Sequence, residues 1–294
     1  MNKVLRNPVA YLIFVVPALV LYVTFYIVPL FSSLRYSVTS WNGINEPVFN
    51  GIDNFLKALQ DEKFWIGFKN NVYFVGFSLI IQVPIIIAVG IIISRAKKML
   101  GLYKVSVFLP SVLSTAAVGI IWQFIYQPDA GLLNQLLRVT GFAEVAKPWL
   151  GNPDTAMTAV LVANAWQWTG FYIVLVLAAI FAIPSEVLEA AEIDGAVGFK
   201  KAWHITVPLI RSVIVVVMLL SITGAMKALD IVLIMTSGGP FGSSEVMATY
   251  MYKQAYSAGE YGYANAIAII IFVFTSVVTL IFHLFSRRVE EVKY

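Results

Sequence analysis

Long, almost uncharged runs recur along this chain, and they leave it few ways to fold. A stretch of roughly 18 apolar residues makes a helix long enough to cross the hydrocarbon core of a bilayer. Inside that core every backbone amide and carbonyl needs a partner from the protein, and a helix supplies it within the segment. Six membrane helices are expected, near Tyr11 to Leu34, Val72 to Ser94, Val105 to Tyr126, Ala156 to Ile183, Ser212 to Thr236 and Tyr263 to Phe285. Composition agrees: 12% of residues are charged and the mean hydropathy is +0.83, against about 25% charged in soluble domains. The class is an all-α membrane protein, read as a single domain over residues 1–294. The first run is read as a retained helix, because it exceeds a leader's apolar core and no small-residue cleavage site follows it. Pro17 and Pro29 within it predict kinks that neighbouring helices accommodate.

Several chemistries are excluded at once. The chain has no cysteine, which removes disulfides, thiolate metal sites and cysteine nucleophiles. His204 and His283 are far apart in sequence, so no histidine-rich metal site is expected. The net charge of +4 is modest and the basic residues gather at helix ends, a mark of topology rather than of nucleic-acid binding. One set of connections carries Lys3, Arg6, Arg95, Lys97, Lys98, Lys104, Lys200, Lys201, Arg211, Arg287, Arg288 and Lys293. The other carries only Arg35, Lys57, Lys63, Lys69, Arg138, Lys147 and Lys253, and Lys227 falls inside a span. The richer side should be cytoplasmic, which places both termini and the connection at 184–211 inside the cell.

The opposite loops have content of their own. Asp53 to Lys69 reads as an amphipathic helix, with Phe55, Leu56, Leu59, Phe64 and Trp65 free to lie on the membrane or pack on the bundle. Gly131 to Thr140 reads as a second short helix, followed by Pro148-Trp149. A third loop holds Ser237-Gly238-Gly239-Pro240 and a Tyr- and Met-rich stretch from Glu245 to Tyr256. These pieces either cap the bundle or form a docking surface for an external partner.

A polar island interrupts the apolar pattern at Glu189-Ala190-Ala191-Glu192-Ile193-Asp194-Gly195-Ala196, running on to Trp203-His204-Ile205-Thr206-Val207-Pro208. Pro184-Ser185 signals a helix start with Ser185 as cap, and Glu186 and Glu189 suit the positive end of the dipole. Gly195 follows the last turn, where positive φ is commonly needed, and Gly198 gives a second bend. The product is a short helix with small residues on its flank. It is either an ordinary connection or a surface shaped for another protein to grip.

The string of this island resembles the loop shared by permease subunits of binding-protein-dependent ABC importers, which reads Glu-Ala-Ala, Asp-Gly-Ala and then Ile-x-Leu-Pro. Glu189, Ala190, Ala191, Asp194, Gly195, Ala196, Ile205 and Pro208 match, while Val207 replaces the leucine. The resemblance implies a type I importer permease fold and a coupling helix, within residues 184–211, that fits a cleft in a cytoplasmic ATPase. It also implies a second, non-identical permease, two ATP-binding subunits and an external solute-binding protein as partners, in the cytoplasmic membrane of a bacterial-type cell. ATP and magnesium belong to those partners. This chain has no G-x-x-x-x-G-K-[ST] loop, and Gly195 to Lys201 has the wrong glycine spacing with no strand before it.

Further matches point to the carbohydrate branch, near maltose-type and multiple-sugar permeases. They are Tyr36-Ser37 to Trp41-Asn42-Gly43, Gly51-Ile52-Asp53-Asn54-Phe55, Lys227 with Asp230, Met235 to Pro240, and Tyr261 to Ala266. Relative to the maltose subunit, the chain lacks extra early helices and a large outer domain. Physically, Lys227 and Asp230 sit three residues apart on one expected helical face and can pair inside the membrane, either locking the bundle or lining a path.

Sugar chemistry asks for aromatic faces with amide and hydroxyl partners, and for no buried charge. Asn164, Gln167, Trp168 and Phe171 fall at offsets 0, 3, 4 and 7 and share one face of the fourth span. That face is either a substrate wall or helix packing through satisfied amides. By resemblance these four fall at sugar-contacting positions of maltose-type permeases, as do Ser111 and Thr115 in span three and Gly224 and Ala228 in span five. The expected function is the transmembrane subunit of an ATP-driven sugar importer, which binds no metal and catalyses no reaction itself. A secondary, ion-coupled transporter working without an ATPase is the alternative. An intramembrane enzyme would need a convergent catalytic set, and the sequence offers none.

Overall fold

The computed structural model describes residues 8–96 and 98–287. Lys3, Arg6, Lys97, Arg288 and Lys293, used above for topology, lie outside the described residues. Four helices are long and apolar enough to cross a membrane as single pieces: Leu12–Ser37, Glu62–Ser94, Pro153–Phe181 and Tyr261–Leu284. The remaining two spans are built from broken pieces, and the breaks set up everything that follows.

The chain divides into two compact units. One comprises Met1–Asp61 and Met251–Phe272. The apolar stretch of its first span, Leu12–Ser37, is unburied, as a lipid-facing helix should be. The buried Asn54 closes the end of that helix by donating to the carbonyls of Ser37 and Thr39, both at 2.9 Å. A two-residue antiparallel ladder follows, with Thr39 opposite Phe49 and Ser40 opposite Val48. Lys57 forms an ion pair with Glu260 and lies 4.3 Å above the ring of Tyr263, whose hydroxyl donates to Asp61 at 2.8 Å.

The second unit, Glu62–Tyr250 and Val273–Tyr294, holds spans two to five. Its second span begins ten residues earlier than the sequence suggests. The amphipathic helix expected over Asp53 to Lys69 is in fact two pieces: Asp53–Gln60, and the opening turns of the span Glu62–Ser94, separated by an extended Asp61. Phe64 is accordingly buried in the bundle, while Trp65 remains exposed. The helix expected over Gly131 to Thr140 forms as Leu132–Val139, held by Asn134, which donates to Pro128 and Lys147 carbonyls and accepts from the Trp149 indole.

The third span is not one helix. Leu100–Val112 and Thr115–Ile125 meet at 97°. Pro110 removes a donor near the end of the first piece, Leu113 and Ser114 are extended, and Ser114 caps the second piece by accepting from the amide of Ala117. The fifth span is broken as well. Arg211–Met226 ends at Lys227, and a new helix, Asp230–Met235, begins three residues later. Lys227 and Asp230 therefore do not share a helical face, and no ion pair joins them, which corrects the expected pairing. Each instead matches its own dipole, a cation at a helix C-terminus and an anion at the next N-terminus.

Breaks free backbone groups, and buried amides answer them. Gln167 of the fourth span donates to the Leu113 carbonyl at 3.1 Å, at the bend of the third. Asn71 of the second span donates to the Ala225 carbonyl and accepts from the Met247 amide, both at 2.9 Å, at the break of the fifth. Gln123 reaches the Ile234 and Met235 carbonyls.

Prolines are absorbed in a repeated way. Three wide π-helical turns, Val23–Ile27, Ser78–Gln82 and Ala202–Thr206, each end against a Val-Pro pair: Val28-Pro29, Val83-Pro84 and Val207-Pro208. A proline ring crowds the carbonyl four residues back and offers it no N–H. The wide turn relieves this, with the valine amide bonding five residues back, to Val23, Ser78 and Ala202 respectively. The first span thus runs helically through Pro17 and Pro29.

Candidate functional sites

A cavity of about 250 Å³ opens between the second, fourth and fifth spans. The second contributes Phe74, Ser78 and Gln82, the fourth Asn164, Trp168, Phe171 and Tyr172, and the fifth Leu220, Ser221, Gly224 and Ala225. No lining residue carries a charge. Trp168 and Phe171 stand at right angles with centroids 6.5 Å apart, and Phe171 meets Tyr172 at 5.5 Å. Gly224 leaves the fifth-span wall low, and a Cβ there would meet only the Tyr172 hydroxyl, 3.9 Å away.

Of the eight residues expected to bind substrate, the structure brings four to this cavity: Asn164, Trp168, Phe171 and Gly224. The other four lie elsewhere. Gln167 is buried, and its amide nitrogen donates to the Leu113 carbonyl and, at 3.4 Å, to the Thr115 hydroxyl, so both residues serve the bend of the third span, while its amide oxygen is buried without a partner. Ser111 donates to its own helix at Phe108. Ala228 packs in an apolar cluster with Val118, Ile231 and Val232.

Sequence reasoning missed the second span's contribution to this cavity. The signal was available as Ser78 and Gln82, two polar residues four apart in an otherwise apolar run. It also missed Gly170, which brings the fourth span against the third.

The polar island is a second candidate site. Ser185–Ile193 is helical; Pro184 rather than Ser185 occupies the cap position, and no side chain caps it. Gly195 has φ +77°, and the chain closes with Ala196 donating to Ala191 at 2.8 Å and Gly195 to Glu192 at 3.0 Å. This is a Schellman ending, for which a residue without Cβ is favoured. Glu189, Ala190, Asp194 and Gly195 are exposed, while Ala191 and Ala196 are buried against each other's turn. Ile193, 86% exposed, and Phe199, 79% exposed and stacked on Trp203, add apolar surface to the same loop. Arg95 at the end of the second span donates to the Gly198 carbonyl at 2.8 Å, and Lys201 pairs with Glu192 at 2.7 Å. The Arg95 contact holds the loop to the end of the second span and the Lys201–Glu192 pair closes the loop on itself, beside a cavity of about 520 Å³. No cluster of three or more metal-ligating residues occurs among the described residues.

The model of one family, the binding-protein-dependent transport system inner membrane component, matches residues 3–291. The chain belongs to that family. It is a transport subunit of an ABC importer rather than an enzyme. Among curated relatives, the probable ABC transporter permease protein YurN of Bacillus subtilis is 33% identical, over 97% of this chain and 99% of its own. The multiple sugar-binding transport system permease protein MsmF of Streptococcus mutans is 31% identical, over 98% and 99%. The trehalose/maltose transport system permease protein MalF of Thermococcus litoralis is also 31% identical, over 91% and 90%. A chain of the bacterial ABC transporter that imports the acidic polysaccharide alginate superposes with a TM-score of 0.84 at 23% identity, covering 99% of both chains, and shows the same fold.

Proposed function

We propose that this permease carries a neutral oligosaccharide, and that the cavity between spans two, four and five is where it recognises the sugar. The uncharged, aromatic and amide-bearing lining is the observation that carries this reading. Pyranose faces stack on rings such as Trp168 and Phe171, and sugar hydroxyls find partners in Asn164, Gln82, Ser78 and Tyr172. Relatives named for multiple sugars and for trehalose/maltose support the same class.

In this reading the loop 184–211 docks on an ATPase subunit that holds the ATP and magnesium. Its exposed Glu189, Ala190, Asp194 and Gly195 form the contact, the Lys201–Glu192 pair stiffens the loop, and Arg95 transmits the push to the end of the second span. A second permease completes the path, two ATPases drive it, and an external binding protein delivers the sugar. Both termini and the loop face the cytoplasm. The ion-coupled alternative loses its one physical support, because Lys227 and Asp230 do not pair.

A mild-detergent pull-down of the tagged chain from its native membrane, followed by uptake assays with labelled neutral and acidic oligosaccharides, tests the proposal. An ATPase and a second permease are expected to co-purify, and a neutral sugar to compete best. A transport-active chain recovered alone, or preference for an acidic sugar, sinks it.

A further inference from the structure

Resting on the sugar-importer reading, we infer that the second span selects the substrate directly, through Ser78 and Gln82, and that the π-turn accommodating Pro84 also aims them. In regular α-helix four residues advance about 400°, so side chains at i, i+4 and i+8 drift by about 40° per step. Phe74, Ser78 and Gln82 have that spacing, yet all three line the same cavity. The turn Ser78–Gln82 is π-helical, with the Val83 amide bonded to the Ser78 carbonyl. A π-turn advances less per residue and cancels the drift of the α-turn before it. The three side chains then stand in one row facing Trp168 and Phe171 across the cavity.

The chemistry of the row fits a sugar. Phe74 is apolar at one end, and a hydroxyl and an amide follow. Gln82 is buried, and its Nε2 donates to the Thr169 hydroxyl at 3.2 Å. That bond occupies one N–H and leaves the other N–H and the carbonyl oxygen for a ligand, a donor and an acceptor that can grip one sugar hydroxyl or two adjacent ones. Ser78 adds a rotatable hydroxyl one turn away. Ring stacking from the fourth span tolerates many sugars, whereas this pair reads the position of their hydroxyls.

The test uses the whole complex in proteoliposomes, with a panel of neutral di- and trisaccharides and their single-deoxy analogues. Gln82→Met keeps the volume and removes the amide. It should raise KM for the preferred sugar by about fivefold to tenfold, the effect of one or two neutral hydrogen bonds, with kcat little changed. Discrimination against one particular deoxy analogue should collapse. Ser78→Ala, which deletes a single oxygen, should do the same for a different analogue, and it keeps the test open if Gln82→Met is not recovered. Thr169→Val breaks the same helix contact without removing the amide and should leave the discrimination in place. If Thr169→Val reproduces the Gln82→Met profile, or if Trp168→Ala alters selection while both second-span variants do not, the row is scaffold and the inference falls with the importer reading intact. If the wild-type complex takes up no sugar in the panel, the sugar reading itself fails, and this inference with it.

Discussion

Gly170 of the fourth span lies directly on the backbone carbonyl of Val107 in the third: a Cβ built on Gly170 would stand 1.6 Å from that oxygen. No rotamer relieves such a contact, since both partners are main chain. Gly170→Ala must therefore push the two helices apart, at a cost of about 1–3 kcal/mol or more. The expected result is a lower unfolding temperature of the purified complex, while Gly76→Ala, with nothing within 4 Å of its Cβ, leaves stability unchanged or higher. Equal melting of the two variants would contradict the close approach.

Asn71 answers two backbone groups at once, the Ala225 carbonyl and the Met247 amide. Asn71→Leu keeps similar bulk but strands both, and each buried unpartnered group costs about 1–3 kcal/mol. The variant should melt earlier, and exchange of the Met247 amide should accelerate; unchanged protection there would show that the amide finds another partner.

How much of this was legible beforehand follows from where each signal sits. The spans announce themselves because hydropathy is local and long. Their breaks do not: Leu113-Ser114 and Lys227-Ala228-Leu229 contain neither Gly nor Pro, and the amides that make those breaks tolerable lie 54 and 154 residues away. The period of the fourth span placed Asn164, Trp168 and Phe171 correctly on a cavity wall. It placed Gln167 on the same wall by the same arithmetic, and only the neighbouring helix shows that its amide nitrogen already donates to the Leu113 carbonyl. Likewise, amphipathic spacing carried straight across Asp61, because a single extended residue leaves no trace in a periodicity.

Gly195 offers a clean separation of folding from partner contact. Its φ of +77° costs an L-residue about 1–2 kcal/mol, yet no atom lies within 4 Å of where a Cβ would be. Gly195→Asp should reach the membrane in normal amounts and lose uptake together with ATPase retention in a pull-down. Full uptake would remove the loop from the coupling role.

Lys227 and Asp230 should behave as strangers. With no ion pair between them, the stability effects of Lys227→Met and Asp230→Asn should add to within about 0.5 kcal/mol. A coupling energy well above that, from a double-mutant cycle, would mean that the two charges meet in the working complex.

The amide that satisfies the bend of the third span is supplied by the fourth, which is later in the chain, whereas the amide that satisfies the break of the fifth is supplied by the second, which is earlier. During synthesis the Leu113 carbonyl thus waits for Gln167 to arrive, while Asn71 stands ready long before Ala225 is made. An open backbone group in lipid is costly, so the bend of the third span depends on the fourth for its stability. The bent third span is therefore complete only with the fourth beside it, whereas the break of the fifth meets an amide that the chain has already made.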